Sequence, residues 1–195
     1  MATLSELVAA IAAVEGVDAE RVTAIARAVR EDGLIQTSGR GTSAAQMSET
    51  DAANLLIAAN TADTARTAPA AVKKYRTLQA KRRSSQFGNE LEELISAAKR
   101  ECLADHLTKM VALFGTPDHR FGKSTYTKME YGFEIEFEKP VPSVRVHIWV
   151  SIDRQGDRFE FTDRRLPTTK TTGDRRERTT ITQRTILAVA NVLRT

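Results

Sequence analysis

Apolar residues recur with a period near 3.6 from the first turn of the chain. In "TLSELVAAIAAVEG", Leu4, Val8, Ile11 and Ala12 keep helical spacing, Thr3 and Glu6 have the spacing of a capping box, and Gly16 supplies a stop. Asp18 then predicts the cap of a second helix, "AERVTAIARAVREDG", with Val22, Ile25, Ala26 and Val29 in an apolar stripe opposite Arg21, Arg27 and Arg30. After Gly33, "LIQTS" and "TSAAQM" flank "GRG" as a β-hairpin, glycine supplying the positive φ of the turn. A third helix is predicted in "SETDAANLLIAANTADTA", capped by Ser48 or Thr50 and burying Ala52, Leu55, Leu56 and Ala59.

Residues 64–72 are Ala/Thr-rich with Pro69, and "KKYRTLQAKRRSSQFGNE" reads as a basic connector, helical at its start and looser around Ser84 and Ser85. A domain boundary is placed here: a first domain over 1–68, a basic linker over 69–88 and a second domain over 89–195. One long helix is predicted over 89–114, with Leu91, Leu94, Ile95, Ala98, Cys102, Leu103, Leu107, Met110 and Val111 at three and four spacing, ended by Gly115 and Pro117.

The period then changes to two. Phe133, Ile135 and Phe137 alternate with Glu134, Glu136 and Glu138, and Val144, Val146, Ile148 and Val150 with Arg145, His147 and Trp149. "RFEFTD" adds Phe159 and Phe161 after a "QGD" turn. Three strands joined by short turns predict an antiparallel meander with one face buried against the preceding helix. "RRLPTTKTTGDRRERTT" reads as a polar, basic, mobile stretch, including Arg164, Arg165, Lys170, Arg175, Arg176 and Arg178. "TITQRTILAVANVLRT" closes the chain as a helix with Ile186, Val189, Ala190 and Leu193 on its stripe. The expected class is α+β, and no internal repeat is found.

Composition narrows the setting. With 41% hydrophobic and 28% charged residues, and no run near the ~18 apolar residues of a membrane span, the chain reads as a cytoplasmic protein with no membrane partner. Glu6 and Glu15 inside the first apolar stretch argue against an export signal. Cys102 is the single cysteine, and His106, His119 and His147 show no metal-ligand spacing. Cys102 and His106 lie four apart on the expected helix, where a partly buried cysteine beside a polar histidine accounts for both. The net charge of +4 is unevenly spread. Residues 1–68 carry five Lys/Arg against nine Asp/Glu, whereas Lys73, Lys74, Arg76, Lys81, Arg82 and Arg83 fall in 69–87 with no acid.

Ala12, Gly16, Val17, Val22 and Ile25 match the offsets of a helix-turn-helix, and "AVREDGLIQTSGRGT" resembles the recognition-helix end and wing of winged-helix regulators of the GntR type. The likeness covers about residues 4–47. It implies that Thr23, Ala24 and Arg27 face a major groove and that Arg30 also contacts DNA, with Arg40 at a wing tip and Thr37, Ser38 and Thr42 on phosphates. Lys73, Lys74 and Arg76 would add sequence-independent phosphate contacts. Asp18 and Glu20 run against this, since they stabilise the helix dipole and repel phosphate.

Enzyme readings find no site. "GTPDH" with Glu134, Glu136 and Lys139 resembles parts of restriction-type nuclease cores, but Glu138 directly precedes Lys139, so an acidic-x-Lys triplet is absent. No phosphate-binding "GxxxxGK[ST]" loop and no "GxSxG" elbow occurs. The expectation is therefore a non-enzymatic, sequence-specific transcriptional regulator of phage or mobile-element origin, without cofactor or metal. It would bind double-stranded DNA as a homodimer, its second domain dimerising or binding a protein partner. The alternative is a phage assembly component, on an architectural likeness to small terminase subunits.

Overall fold

The computed structural model describes residues 2–37, 45–81, 101–114, 118–121, 124–127, 131–150, 156–163 and 176–194. Among them six α-helices precede, interrupt and follow a five-stranded antiparallel sheet, an α+β arrangement. The helices are α1 (Leu4–Glu15), α2 (Ala19–Glu31), α3 (Glu49–Thr61), α4 (Ala68–Arg76), α5 (Leu103–Phe114) and α6 (Gln183–Arg194), with a 3-10 turn at Ala65–Thr67. The strands are β1 (Gln79–Lys81), β2 (Asp118–Phe121), β3 (Ser124–Thr127), β4 (Tyr131–Lys139), β5 (Ser143–Val150), β6 (Gly156–Thr162) and β7 (Glu177–Thr182). The main sheet runs β1-β6-β5-β4-β7, and β2 with β3 forms a separate hairpin. No helix among the described residues is long and apolar enough to cross a membrane.

The first helices form where capping and periodicity place them. Thr3 and Glu6 make a full capping box on α1, Asp18 Oδ1 accepts from the Glu20 amide at the start of α2, and Ser48 with Asp51 boxes α3. Gly16 turns the chain at φ 67°, where its amide and that of Val17 both return to the Ala12 carbonyl.

Helix α3 is the centre of the molecule. All residues from Asp51 to Thr61 are buried, so it has no solvated face, and it packs against α2, α4, α5, α6 and β4. An all-round buried helix belongs in the interior of a core. The buried residues of the N-terminal helices and of the sheet accordingly form one cluster, from Leu7 and Ile25 through Leu56 to Phe133, Phe161 and Val189.

Four expectations from the sequence are corrected here. The described flanks of the hairpin, Leu34–Thr37 and Ala45–Met47, are not strands. Their amides go elsewhere, Gln36 to the Asp51 carboxylate at 2.9 Å and Met47 to the Ala2 carbonyl at 2.8 Å. The "GRG" tip lies outside the described residues.

Residues 69–81, read as part of a basic linker, form α4 and β1. Val72 and Tyr75 of α4 are buried, the Tyr75 hydroxyl donates to the Glu138 carbonyl at 2.6 Å, and β1 pairs with β6 from Gln79↔Thr162 to Lys81↔Glu160. The helix expected over 89–114 does not run through 101–102. Cys102 makes an isolated bridge with Gln79, and the Leu103 amide donates to the Leu78 carbonyl at 2.9 Å before α5 begins. Residues 82–100 lie outside the described residues.

The stretch read as mobile ends inside the sheet. Glu177–Thr182 pairs with β4 as strand β7, and the last helix starts only at Gln183. The expected meander β4-β5-β6 is present with its alternation intact, flanked by β1 and β7.

Gly132 on β4 stands opposite Trp149 on β5, and a Cβ built there would meet the indole ring at 2.5 Å. The indole therefore lies across a position that only a residue without a side chain leaves open. Gly132→Ala is expected to destabilise the fold by about 1–3 kcal/mol by forcing the ring out of place. Trp149 is the single tryptophan, so chemical denaturation followed by its fluorescence measures both the loss and an altered native emission maximum.

Candidate functional site

The side chains named for DNA contact on α2 share one face. Val22, Ile25, Ala26 and Val29 are buried, while Thr23 is partly exposed and Ala24, Arg27 and Arg30 are exposed. The Thr23 hydroxyl donates to the Ala19 carbonyl of its own helix at 2.7 Å, leaving its oxygen able to accept. Arg27 and Arg30 form no ion pair among the described residues. Arg21 is structural instead, donating to the Ala62 carbonyl at 2.9 Å and the Ala59 carbonyl at 3.5 Å, where it satisfies the end of α3.

The remaining named residues divide. Lys73 of α4 lies by the end of α2, its ammonium 2.7 Å from Asp32, which offsets one of the acids beside Arg30. Lys74 is exposed and lines a different concavity of about 440 Å³ with Tyr75, Asp63, Lys139 and Glu177, where Lys139 bridges Asp63 and Glu177. Arg76 is partly buried and Thr37 is exposed. Ser38, Arg40 and Thr42 lie outside the described residues. The structure thus leaves Thr23, Arg27 and Arg30 along one side of α2, places Lys73 beside Asp32 at its end, and puts Lys74 in a different concavity.

The expected cysteine and histidine pair differs from its sequence reading. Cys102 precedes α5, its carbonyl accepting from the His106 amide at 3.0 Å, and its thiol lies 3.0 Å from an Asp105 carboxylate oxygen. Burial and that carboxylate raise the thiol pKa, so the group is a poor nucleophile. His106 is wholly buried, edge-on to Phe159 at 5.0 Å and tilted to Phe161 at 5.3 Å. Neither ring nitrogen has a hydrogen-bond partner among the described residues, and burial pushes its pKa down to about 3. Among the described residues no group of three His, Cys, Asp or Glu is placed to hold a metal.

Two clusters were not legible in the sequence. The first is the outer face of the sheet, where Glu138, its side chain only 10% exposed, accepts from Arg176 at 3.0 Å, Arg178 at 3.0 Å and Arg145 at 3.3 Å. Arg145 also pairs with Glu136 and lies 3.7 Å from Glu160. Alternating glutamates on one strand and Arg145 on the next are the pattern of cross-strand pairs, whereas Arg176 and Arg178 belong to the stretch whose composition reads as mobile.

The second joins α1 to α3. Asn60, 5% exposed, donates from Nδ2 to Glu15 at 3.2 Å and to the Leu56 carbonyl at 3.0 Å, while its buried Oδ1 has no partner among the described residues. Desolvation raises the Glu15 pKa to about 7, against the lowering effects of Asn60 and Arg21. This joint lines a concavity of about 190 Å³ with Thr182, Arg184 and Thr185.

Compared with family models, curated proteins and solved structures, the chain matches none.

The buried His106 and the partly buried Glu15 have opposite pH signatures. His106 is held neutral below its ordinary value of 6.5, so its stabilising share is complete above that pH and is lost as pH falls toward 3. The loss has a limiting slope of about 1.4 kcal/mol per pH unit. His106→Leu is expected to be more stable than the parent at pH 5, by about 1–3 kcal/mol, with the gap narrowing above pH 7; urea titrations at both pH values measure it.

Glu15 is raised from 4.5, so its share is complete below 4.5 and is lost as pH rises through about 7. Glu15→Gln should gain on the parent by on the order of 1 kcal/mol between pH 5 and pH 8. A thermal midpoint difference that stays constant over that range would contradict this account.

Proposed function

We propose that the protein is a DNA-binding regulator that presents the Thr23, Ala24, Arg27 and Arg30 face of α2 to double-stranded DNA. The observation that carries the reading is the state of α2: one stripe locked in the core and the opposite stripe left at the surface, with two arginines that form no ion pair among the described residues. Arginine suits base and phosphate recognition because its planar fork holds two acceptors at once.

The acids near this face are partly accounted for. The Asp18 carboxylate accepts from the Glu20 amide and Lys73 neutralises Asp32, while Asp18, Glu20 and Glu31 remain exposed acids. Gly16, in the left-handed conformation, ends α1 just before α2, which packs against it, and Lys73 supplies a neighbouring cation at the end of α2. A homodimer would place two such helices on one duplex, as two-fold sites require.

Binding by this face should depend steeply on salt, since phosphates exchange their counterions for the arginines. In fluorescence anisotropy with labelled duplexes selected from a random pool, the Arg27→Ala and Arg30→Ala double variant should bind about tenfold weaker or worse and lower the salt slope by about one to two. Absence of binding to every duplex at low salt, or an unchanged affinity in the double variant, would refute the reading.

A further inference from the structure

The outer face of the sheet has its charges arranged in transverse rows. In one row Glu160, Arg145 and Glu136 stand side by side on β6, β5 and β4, and they pair with one another. In a second, Ser143 and Glu138 lead to Arg178 on β7, which closes on Glu138 at 3.0 Å. The row between Glu160–Arg145–Glu136 and Trp149 is different. It runs Arg158, His147, Glu134, and neither Arg158 nor Glu134 forms an ion pair among the described residues.

His147 lies between them on the central strand, so the two ends of the row are two strand spacings apart, roughly 10 Å at the backbone. All three side chains line one open concavity of about 450 Å³, a volume within the usual range of small-molecule sites. An exposed cation and a partly exposed anion are thus held facing the same space, each without a counter-charge from the described chain.

The lining also decides the charge of an occupant. A phosphate or another dianion would meet Glu134, Glu136 and Glu160, and a simple cation would meet Arg145 and Arg158. A molecule carrying both signs satisfies both ends. The guanidinium fork of Arg158 matches a carboxylate bidentately, and the Glu134 carboxylate accepts from an ammonium group.

We propose that this row is a binding site for a small zwitterion of the amino-acid type, its carboxylate on Arg158 and its ammonium on Glu134, spanning His147. The site is separate from α2 and goes beyond the DNA-binding reading. Neither residue lies on the proposed DNA face, so failure of one assignment leaves the other standing.

A series of ω-amino acids measures the spacing directly. Glycine, β-alanine, 4-aminobutyrate and 6-aminohexanoate are titrated into the full chain by calorimetry, with acetate and methylammonium as single-charge probes. Affinity is expected to pass through a maximum along the series, at least about tenfold above either single-charge probe. Arg158→Gln and Glu134→Gln should each weaken the best probe about tenfold or more, while circular dichroism and the thermal midpoint stay as in the parent. Arg158→Lys, which keeps the charge and loses the fork, should fall between. No saturable binding, a flat series, acetate binding as well as the best amino acid, or full affinity in either glutamine variant would each overturn the proposal.

Discussion

The burial of α3 governs the rest of the architecture. A helix with every side buried gains from residues such as Leu55, Leu56 and Ile57, each worth about 1.5–3 kcal/mol when fully removed from water. It also brings its polar ends and its Asp, Asn and Thr side chains into the core, where each lost hydrogen bond costs about 1–3 kcal/mol. The neighbouring elements are placed so as to answer those groups. Asp51 accepts from the Gln36 amide, Asn54 donates to the Leu34 carbonyl, Arg21 caps the Ala59 and Ala62 carbonyls, and Asn60 reaches Glu15. Satisfying one buried helix therefore fixes the loop after α2, the start of α2 itself and the end of α1.

That constraint is what makes the surface of α2 specific. The helix is pinned at its first turn through Arg21, at its last turn through Lys73 and Asp32, and along its length by Val22, Ile25 and Val29. Its rotation is thereby set, and with it the direction in which Arg27 and Arg30 project. The Glu15 and Asn60 joint sits at the same junction and titrates near neutral pH. Among the described residues the interior retains several buried polar atoms without a hydrogen bond, the Asn54 and Asn60 Oδ1 atoms and both His106 ring nitrogens among them. Each lowers stability by the hydration it has lost.

Local signals carried much of the fold. The capping boxes at Thr3 and Ser48, the stop at Gly16 and the period-two stretch of β4 and β5 each correspond to an element, because each depends on residues within a few positions of one another. What escaped was set by distant partners. β1 and β7 are short or polar in sequence and become strands only because β6 and β4 offer them a ladder. The amides of Gln36 and Met47 left a plausible hairpin for Asp51 and Ala2, a competition no local pattern reveals. The candidate site divides the same way: the α2 face was legible from its stripe, whereas the Arg158, His147, Glu134 row depends on strand register.

The shared core also bears on how far the N-terminal helices can act alone. α1 packs against α6 and α3 against α5, so a separate N-terminal helical unit would lose contacts that help bury its apolar residues. β7 leads directly into α6, which means that the strand beside Glu138 and the helix covering α1 are consecutive in the chain. Ion pairs on the outer sheet face and apolar contacts beneath α1 are in that way supported by one segment, Glu177–Arg194. Its first half matches the charges of β4 through Arg178, and its second half supplies Ile186, Val189 and Ala190 to the interior. The position of α2 consequently rests on the C-terminal elements as much as on the turn at Gly16, because α1, against which it packs, is itself held by α6.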